Sequence, residues 1–258
     1  MMAVENKKII NWDNVFKQSD SFKNNKPFKF GFVEKFIDHD FYERLYETFP
    51  KPDDLWFDAS SLQKSKVMRH WGQNIGKHEI VPPGDDSSLS KEWNIFKKYV
   101  ESKEFFENMQ KFSGIPVNRL KHFSFAIKRK GDFQISHAHN TGPNILILMI
   151  YFTKGWNEGE PGGTYVATDL DDESSIIFEA YNLDNSVTIF HDGPDAIHGV
   201  RRITKDGAER KAIQLYLEMY DEKTGWSGPG SLTTETEKFP HKIFLYGEIG
   251  RASCRERV

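Results

Sequence analysis

The chain has 258 residues, with 38 acidic against 35 basic side chains, a net charge of −3 and a pI near 6.3. That balance carries no electrostatic footprint for nucleic acid, and a mean hydropathy of −0.63 without any long apolar run excludes a transmembrane helix. The single cysteine, Cys254, excludes an intrachain disulfide, while 14% aromatic content with 21 phenylalanines supplies bulky filling for a sizeable core.

The opening "MMAVENKKIINWDNVFKQ" lacks an apolar h-region, so the expected compartment is the cytoplasm. "FKFGFVEKFI" (28–37) reads as an opening strand. "DHDFYERLYETFP" then places Phe41, Tyr42, Leu45, Tyr46 and Phe49 at helical spacing, with Asp40 and Glu43 as a capping box and Pro50 as the stop. Residues 51–89, rich in Lys, Ser, Pro and Gly with Trp56 and Trp71, read as loop with short strands. Residues 90–114 read as helix capped by Ser90 and ended by Gly114. Trp93, Phe96 and Val100 form one stripe there, followed by Phe105, Phe106, Met109 and Phe112, and both stripes suit support of the outer face of a sheet.

From Leu120 onward strand signals dominate: "LKHFSFAIK", "ILILMIYF", "GTYVATD", "SVTIF" and "KAIQLYLEM" alternate or run apolar between turn residues. A mainly β chain with helices in front suits a jelly roll, the class that includes cupins. The acidic "DLDDESS" (169–175) reads as a solvated hairpin tip, and no internal repeat is evident. The final "EIGRASCRERV" (248–258) matches the translation of a common sequencing adapter, so the natural protein is expected to depart from this sequence near Gly247.

Chemistry concentrates in the β region. In a strand the side chains at i and i+2 share a face, so His137 and His139 of "SHAHN" can approach one metal ion. His198, after the strand signal "VTIF", can supply a third imidazole, and Gly199 beside it lets the backbone come close to a site. Imidazole suits iron, zinc, copper and nickel alike, so the histidines indicate a metal before they indicate which one. Asp132, Asp192 and Asp195 are rival donors, ranked below His139 because none has the i+2 relation to His137. Arg210 shares a strand face with Ala212, Gln214 and Tyr216, opposite Ile213, Leu215 and Leu217; inside a barrel it requires an anionic partner.

"RKGDFQISHAHNTG", "ILILMIYFTKGWNEGEPGGTYVA", "VTIFHDGPDAIHGVRRI" and "GAERKAIQLYLEMY" together resemble the core of the 2-oxoglutarate and Fe(II)-dependent oxygenases, in particular the prolyl 4-hydroxylase-like branch. Gly131-Asp132, His137, Asn140, Tyr151 with Trp156, Gly162-Gly163, His198 and Arg210 stand in the family's order over roughly residues 117–220. The one departure is His139, where the family has aspartate.

The resemblance implies a double-stranded β-helix with N-terminal helices packed on the sheet. It implies that His137 and His198 bind Fe(II), that Arg210 pairs with the distal carboxylate of 2-oxoglutarate, and that Tyr151 adds a hydroxyl to that carboxylate. It also implies ascorbate as a further candidate cofactor, and a substrate that is a peptidyl proline or another amino-acid-type group, in a protein, a peptide or a small molecule. The expected organisation is one domain over 1–247: helical and loop support to 116, the β-helix core over 117–220 and an extension from 221. Residues 51–89 are then either part of a lid over the metal pocket or an irregular surface excursion.

Replacing the carboxylate with imidazole leaves a bound metal one unit more positive. The alternatives are a working three-histidine iron site, a cupin-like three-histidine zinc site that hydrolyses or only binds a ligand, and an impaired oxygenase homologue. His139 turning away from the site is a fourth. Arg210 discriminates, since an oxygenase needs it for the co-substrate and a hydrolase has no general use for it.

Overall fold

The computed structural model describes residues 8–73, 80–139, 141, 144–221 and 237–238. Asn140, Cys254 and the 248–258 tail lie outside the described residues, as does all of the 221–247 extension except 221 and 237–238. Twelve strands are described: β1 Phe30–Glu34, β2 Phe57–Asp58, β3 Val67–His70, β4 Arg119–Arg129, β5 Gln134–His139, β6 Ile145–Phe152, β7 Thr164–Ala167, β8 Ile176–Glu179, β9 Asp184–His191, β10 His198–Val200, β11 Glu209–Glu218 and β12 Glu237–Lys238. They form two antiparallel sheets, a seven-stranded one in the order β1-β9-β6-β11-β4-β3-β2 and a five-stranded one in the order β12-β5-β10-β7-β8.

The sheets face each other. Phe190 of β9 lies against His198 of β10 at 4.5 Å between ring centroids, and Phe30 and Phe32 of β1 meet Phe178 of β8. Residues 63–65 join the two sheets at another edge, through the Lys64–Gln134 bridge and the amide of Ile135 donating to the carbonyl of Gln63. Within residues 51–89, the stretch 63–65 therefore forms part of the wall between the sheets.

Five helices cover the outer face of the larger sheet: α1 Trp12–Lys17, α2 Ser19–Asn24, α3 His39–Glu47, α4 Lys91–Val100 and α5 Lys103–Ser113. Strand alternation sorts the residues between helix side and barrel interior. Phe123, Phe125 and Ile127, Leu146, Leu148 and Ile150, and Ile213, Leu215 and Leu217 join Trp93, Phe96, Phe105 and Phe112 in one core under the helices. Of the intervening residues of "ILILMIYF", Ile145, Ile147 and Tyr151 are buried on the other face and Met149 partly so, which is why that run reads as continuously apolar.

Three sequence expectations give way here. Asp40 and Glu43 do not cap α3; its N-cap is Asp38, with no side-chain cap bond. Residues 90–114 form two helices, because Ser102 accepts from the amide of Phe105 and restarts the chain as Ser90 does for Trp93. The strand over 28–37 shortens to Phe30–Glu34, ending at Lys35, whose φ is +52°. The acidic tip is as expected: Asp172, Glu173 and Ser174 are exposed between the paired strands β7 and β8.

Candidate metal centre

β5 and β10 pair antiparallel with His137 directly opposite His198, and His139 follows two residues along the same face. The ring centroids stand 4.2 Å apart for His137 and His198, 5.0 Å for His137 and His139, and 5.1 Å for His139 and His198. One nitrogen of each imidazole lies within 4.8 Å of the others, and all three side chains are buried. His139 points into the cluster.

Hydrogen bonds assign the tautomers. His137 Nδ1 lies 3.0 Å from the carbonyl of Ile135 and His198 Nδ1 lies 2.7 Å from that of Ala196. A carbonyl only accepts, so each Nδ1 carries the proton and each Nε2 keeps its lone pair. The Gln134 amide, 3.0 Å from His137 Nε2, donates to that lone pair. Burial, followed by the neighbouring imidazoles, pushes His137 well below the ordinary histidine range and His198 down to about 4. Both are neutral at pH 7. Three buried imidazoles, two of them with Nδ1 bonded to a carbonyl and Nε2 left unprotonated, fit a divalent metal.

Among the rival carboxylates, Asp132 accepts from the amide of Arg129 in a turn and Asp195 is exposed. Asp192 is not in the cluster but behind it. His139 Nδ1 donates to Asp192 Oδ1 at 2.9 Å, and Thr141 donates to Oδ2 at 2.9 Å. Burial acts to raise the Asp192 carboxyl, but its interactions with His139 outweigh this and hold it below the usual range.

A cavity adjoins the histidines. His198, Arg210, Lys128, Lys66, Gln134 and Gln214 line one cavity. Arg210 is 1% exposed; its Nε donates to the carbonyl of Gly162 at 3.0 Å, another guanidinium nitrogen to Thr164 Oγ1 at 3.2 Å, and its Cζ lies 5.0 Å from the Tyr151 ring centroid. Burial lowers its affinity for the proton, with Tyr151 and then Glu179 opposing. The Gly162-Gly163 turn that holds this arm tolerates no side chain, since a Cβ on Gly163 would sit 1.9 Å from the carbonyl oxygen of Ala180. Tyr151 is buried beside Arg210, its hydroxyl 2.9 Å from Thr188 Oγ1 and accepting from the amide of Thr164.

No protein-family model and no curated protein sequence matches the chain. In three dimensions it is similar to a prolyl hydroxylase from Trichoplax adhaerens in complex with a hypoxia inducible factor peptide fragment, with TM-score 0.55, 14% identity, and coverage of 82% of this chain and 90% of that one. It is also similar to a prolyl-4-hydroxylase from Pseudomonas putida (0.53, 11%, 78% and 99%) and to an oxidoreductase of the 2OG-Fe(II) oxygenase family from Burkholderia pseudomallei (0.52, 11%, 85% and 93%). The fold is the double-stranded β-helix. The fold-level expectation from the resemblance therefore stands.

Sequence reasoning missed Lys128. It lies opposite Arg210 in the β4–β11 ladder, 2% exposed, with Nζ donating to the carbonyls of Ser65 at 2.6 Å and Phe133 at 2.7 Å. Burial, then Lys66 and Arg210, pushes it well below the usual lysine range. The available signal was the alternation of "LKHFSFAIK", which leaves His122, Ser124 and Lys128 on one face of an otherwise apolar strand.

The same face carries a pH-sensitive pair. His122 meets His70 at 5.0 Å between centroids; burial, then His70, pushes His122 down to about 3. A folded-state value below the unfolded one, about 6.5, means that the unfolded chain binds the extra proton. This contribution to stability is therefore intact above pH 6.5 and is lost as pH falls towards 3. Urea midpoints at pH 7.5 and pH 5 should show His122→Gln losing less stability on acidification than the parent, by about 1–2 kcal/mol. Parallel losses in the two proteins would contradict a neutral imidazole at His122.

Proposed function

We propose that this chain is an Fe(II)- and 2-oxoglutarate-dependent dioxygenase that hydroxylates a peptidyl proline or another amino-acid-type substrate. The observation that carries the reading is Arg210, a buried guanidinium whose hydrogen-bond partners among the described residues are the carbonyl of Gly162 and the hydroxyl of Thr164 and no carboxylate, in the cavity that His198 lines. A buried cation of this kind calls for an anion, and its planar fork matches a carboxylate. Lys128 lines the same cavity from the opposite strand, its amine held by the carbonyls of Ser65 and Phe133.

In this reading His137, His139 and His198 hold the metal through Nε2. Arg210 and Tyr151 seat the distal carboxylate of the co-substrate. Phe190, tilted against His198, keeps water from that side of the centre. When bound, iron and 2-oxoglutarate supply O2 activation, coupling decarboxylation of the co-substrate to hydroxylation of a substrate C–H bond. The substrate class is supported by the two prolyl hydroxylases of similar fold, one of them holding a peptide. The three-imidazole donor set favours a second reading, a zinc site that hydrolyses or binds a ligand.

Anaerobic addition of Fe(II) and then 2-oxoglutarate to the purified protein should produce the visible charge-transfer band of a chelated 2-oxo acid. No band at saturating metal and co-substrate, together with stoichiometric tight zinc, would transfer the assignment to the second reading.

A further inference from the structure

We propose that Asp192, acting through His139, supplies the negative charge that a two-histidine, one-carboxylate centre carries on its own ligand. This rests on the reading of His137, His139 and His198 as metal ligands. An all-imidazole set is neutral, so a divalent ion within it keeps its full charge. Asp192 is 2% exposed and lies one hydrogen bond behind the third ligand, with Oδ1 accepting from His139 Nδ1 and Oδ2 from Thr141, each at 2.9 Å. The other two histidines lean on the neutral carbonyls of Ile135 and Ala196, so the carboxylate is specific to the ligand that replaces the usual acid. Such an acceptor fixes the tautomer that aims Nε2 at the ion and raises the basicity of the ring. Ligand and charge are thus divided between two residues, with Asp192 a positioning residue that never touches the metal.

Asp192→Asn keeps the shape and removes the charge. Chelator competition with Co(II) and Fe(II) under argon should show a loss of metal affinity of about ten- to a hundredfold, with an unchanged thermal transition of the metal-free protein. A purely structural role would instead move that transition. The decisive comparison is a cycle with His139→Asp, which puts a carboxylate on the ligand position itself; in that background Asp192→Asn should cost less than about threefold. Equal losses in the two backgrounds, or no loss in the parent, overturn the proposal. Thr141→Val is the second variant, for the case in which Asp192→Asn does not fold; loosening the carboxylate should weaken metal about two- to tenfold, and unchanged affinity counts against the idea. A parent protein that binds no metal, or binds it equally after His137→Ala, removes the underlying metal assignment instead, and that result is read before any Asp192 variant is made.

Discussion

Arg210→Met should leave the protein folded and remove its response to 2-oxoglutarate. The side chain is buried in both states, so the substitution exchanges a desolvated guanidinium for an apolar chain of similar volume. Loss of the bonds to Gly162 and Thr164 offsets the relief of burying a charge, and the net change in stability without co-substrate should be within about 1 kcal/mol. The co-substrate fares differently, because its carboxylate would enter a cavity without its partner. Breaking a buried pair costs about 3–5 kcal/mol, roughly two hundred- to several thousandfold in affinity. Arg210→Lys, which keeps the charge but loses the fork, should lie between, at about ten- to a hundredfold. Thermal shifts of the Mn(II)-loaded proteins across a 2-oxoglutarate titration would measure both, since a ligand at a hundred times its Kd adds about 2.7 kcal/mol. Stabilisation of Arg210→Met equal to that of the parent would remove Arg210 from the site. Lys211 and Arg202 are poor substitutes: Lys211 pairs with Glu209, and Arg202 lies exposed over Phe133.

Trp93→Ala should be the most damaging single change in the helical layer. Trp93 is fully buried on α4 and meets the rings of Phe49, Phe96, Phe125 and Phe152 at 4.9–6.1 Å between centroids. Its Nε1 donates to the carbonyl of Thr48 at 3.0 Å, joining α4 to the end of α3. Truncation opens a cavity between helix and sheet and strands that carbonyl, at a cost of about 3–5 kcal/mol. For a domain of this size the thermal midpoint should fall by about 6–20 °C. A fall of only a degree or two would mean that the helices contribute little to holding the larger sheet.

Local periodicity determined a good deal of this molecule. The two-residue repeat of a strand puts His137 and His139 on one face whatever surrounds them, and the same repeat separates Arg210 from Ile213, Leu215 and Leu217. The apolar stripes of α4 and α5 announced a surface to be covered, and the larger sheet lies beneath them. What periodicity could not decide was where a helix restarts, since Ser102 is one polar residue among several until its side chain accepts from Phe105.

The centre itself needed the tertiary structure. His198 stands opposite His137 only because β10 and β5 pair in one register, and register between strands distant in sequence is set by the packing of whole sheets. Asp192 illustrates the same limit. Its proximity in sequence made it a rival ligand, but its amide donates to the carbonyl of Ile145 and its carboxylate lies behind His139. Lys128 and Arg210, 82 positions apart, share a cavity because β4 and β11 are neighbours. Sequence determined which side chains face inward along each strand, because that depends on the backbone alone. Which of them meet depends on strand order and register, and those are decided by burial summed over the entire sheet.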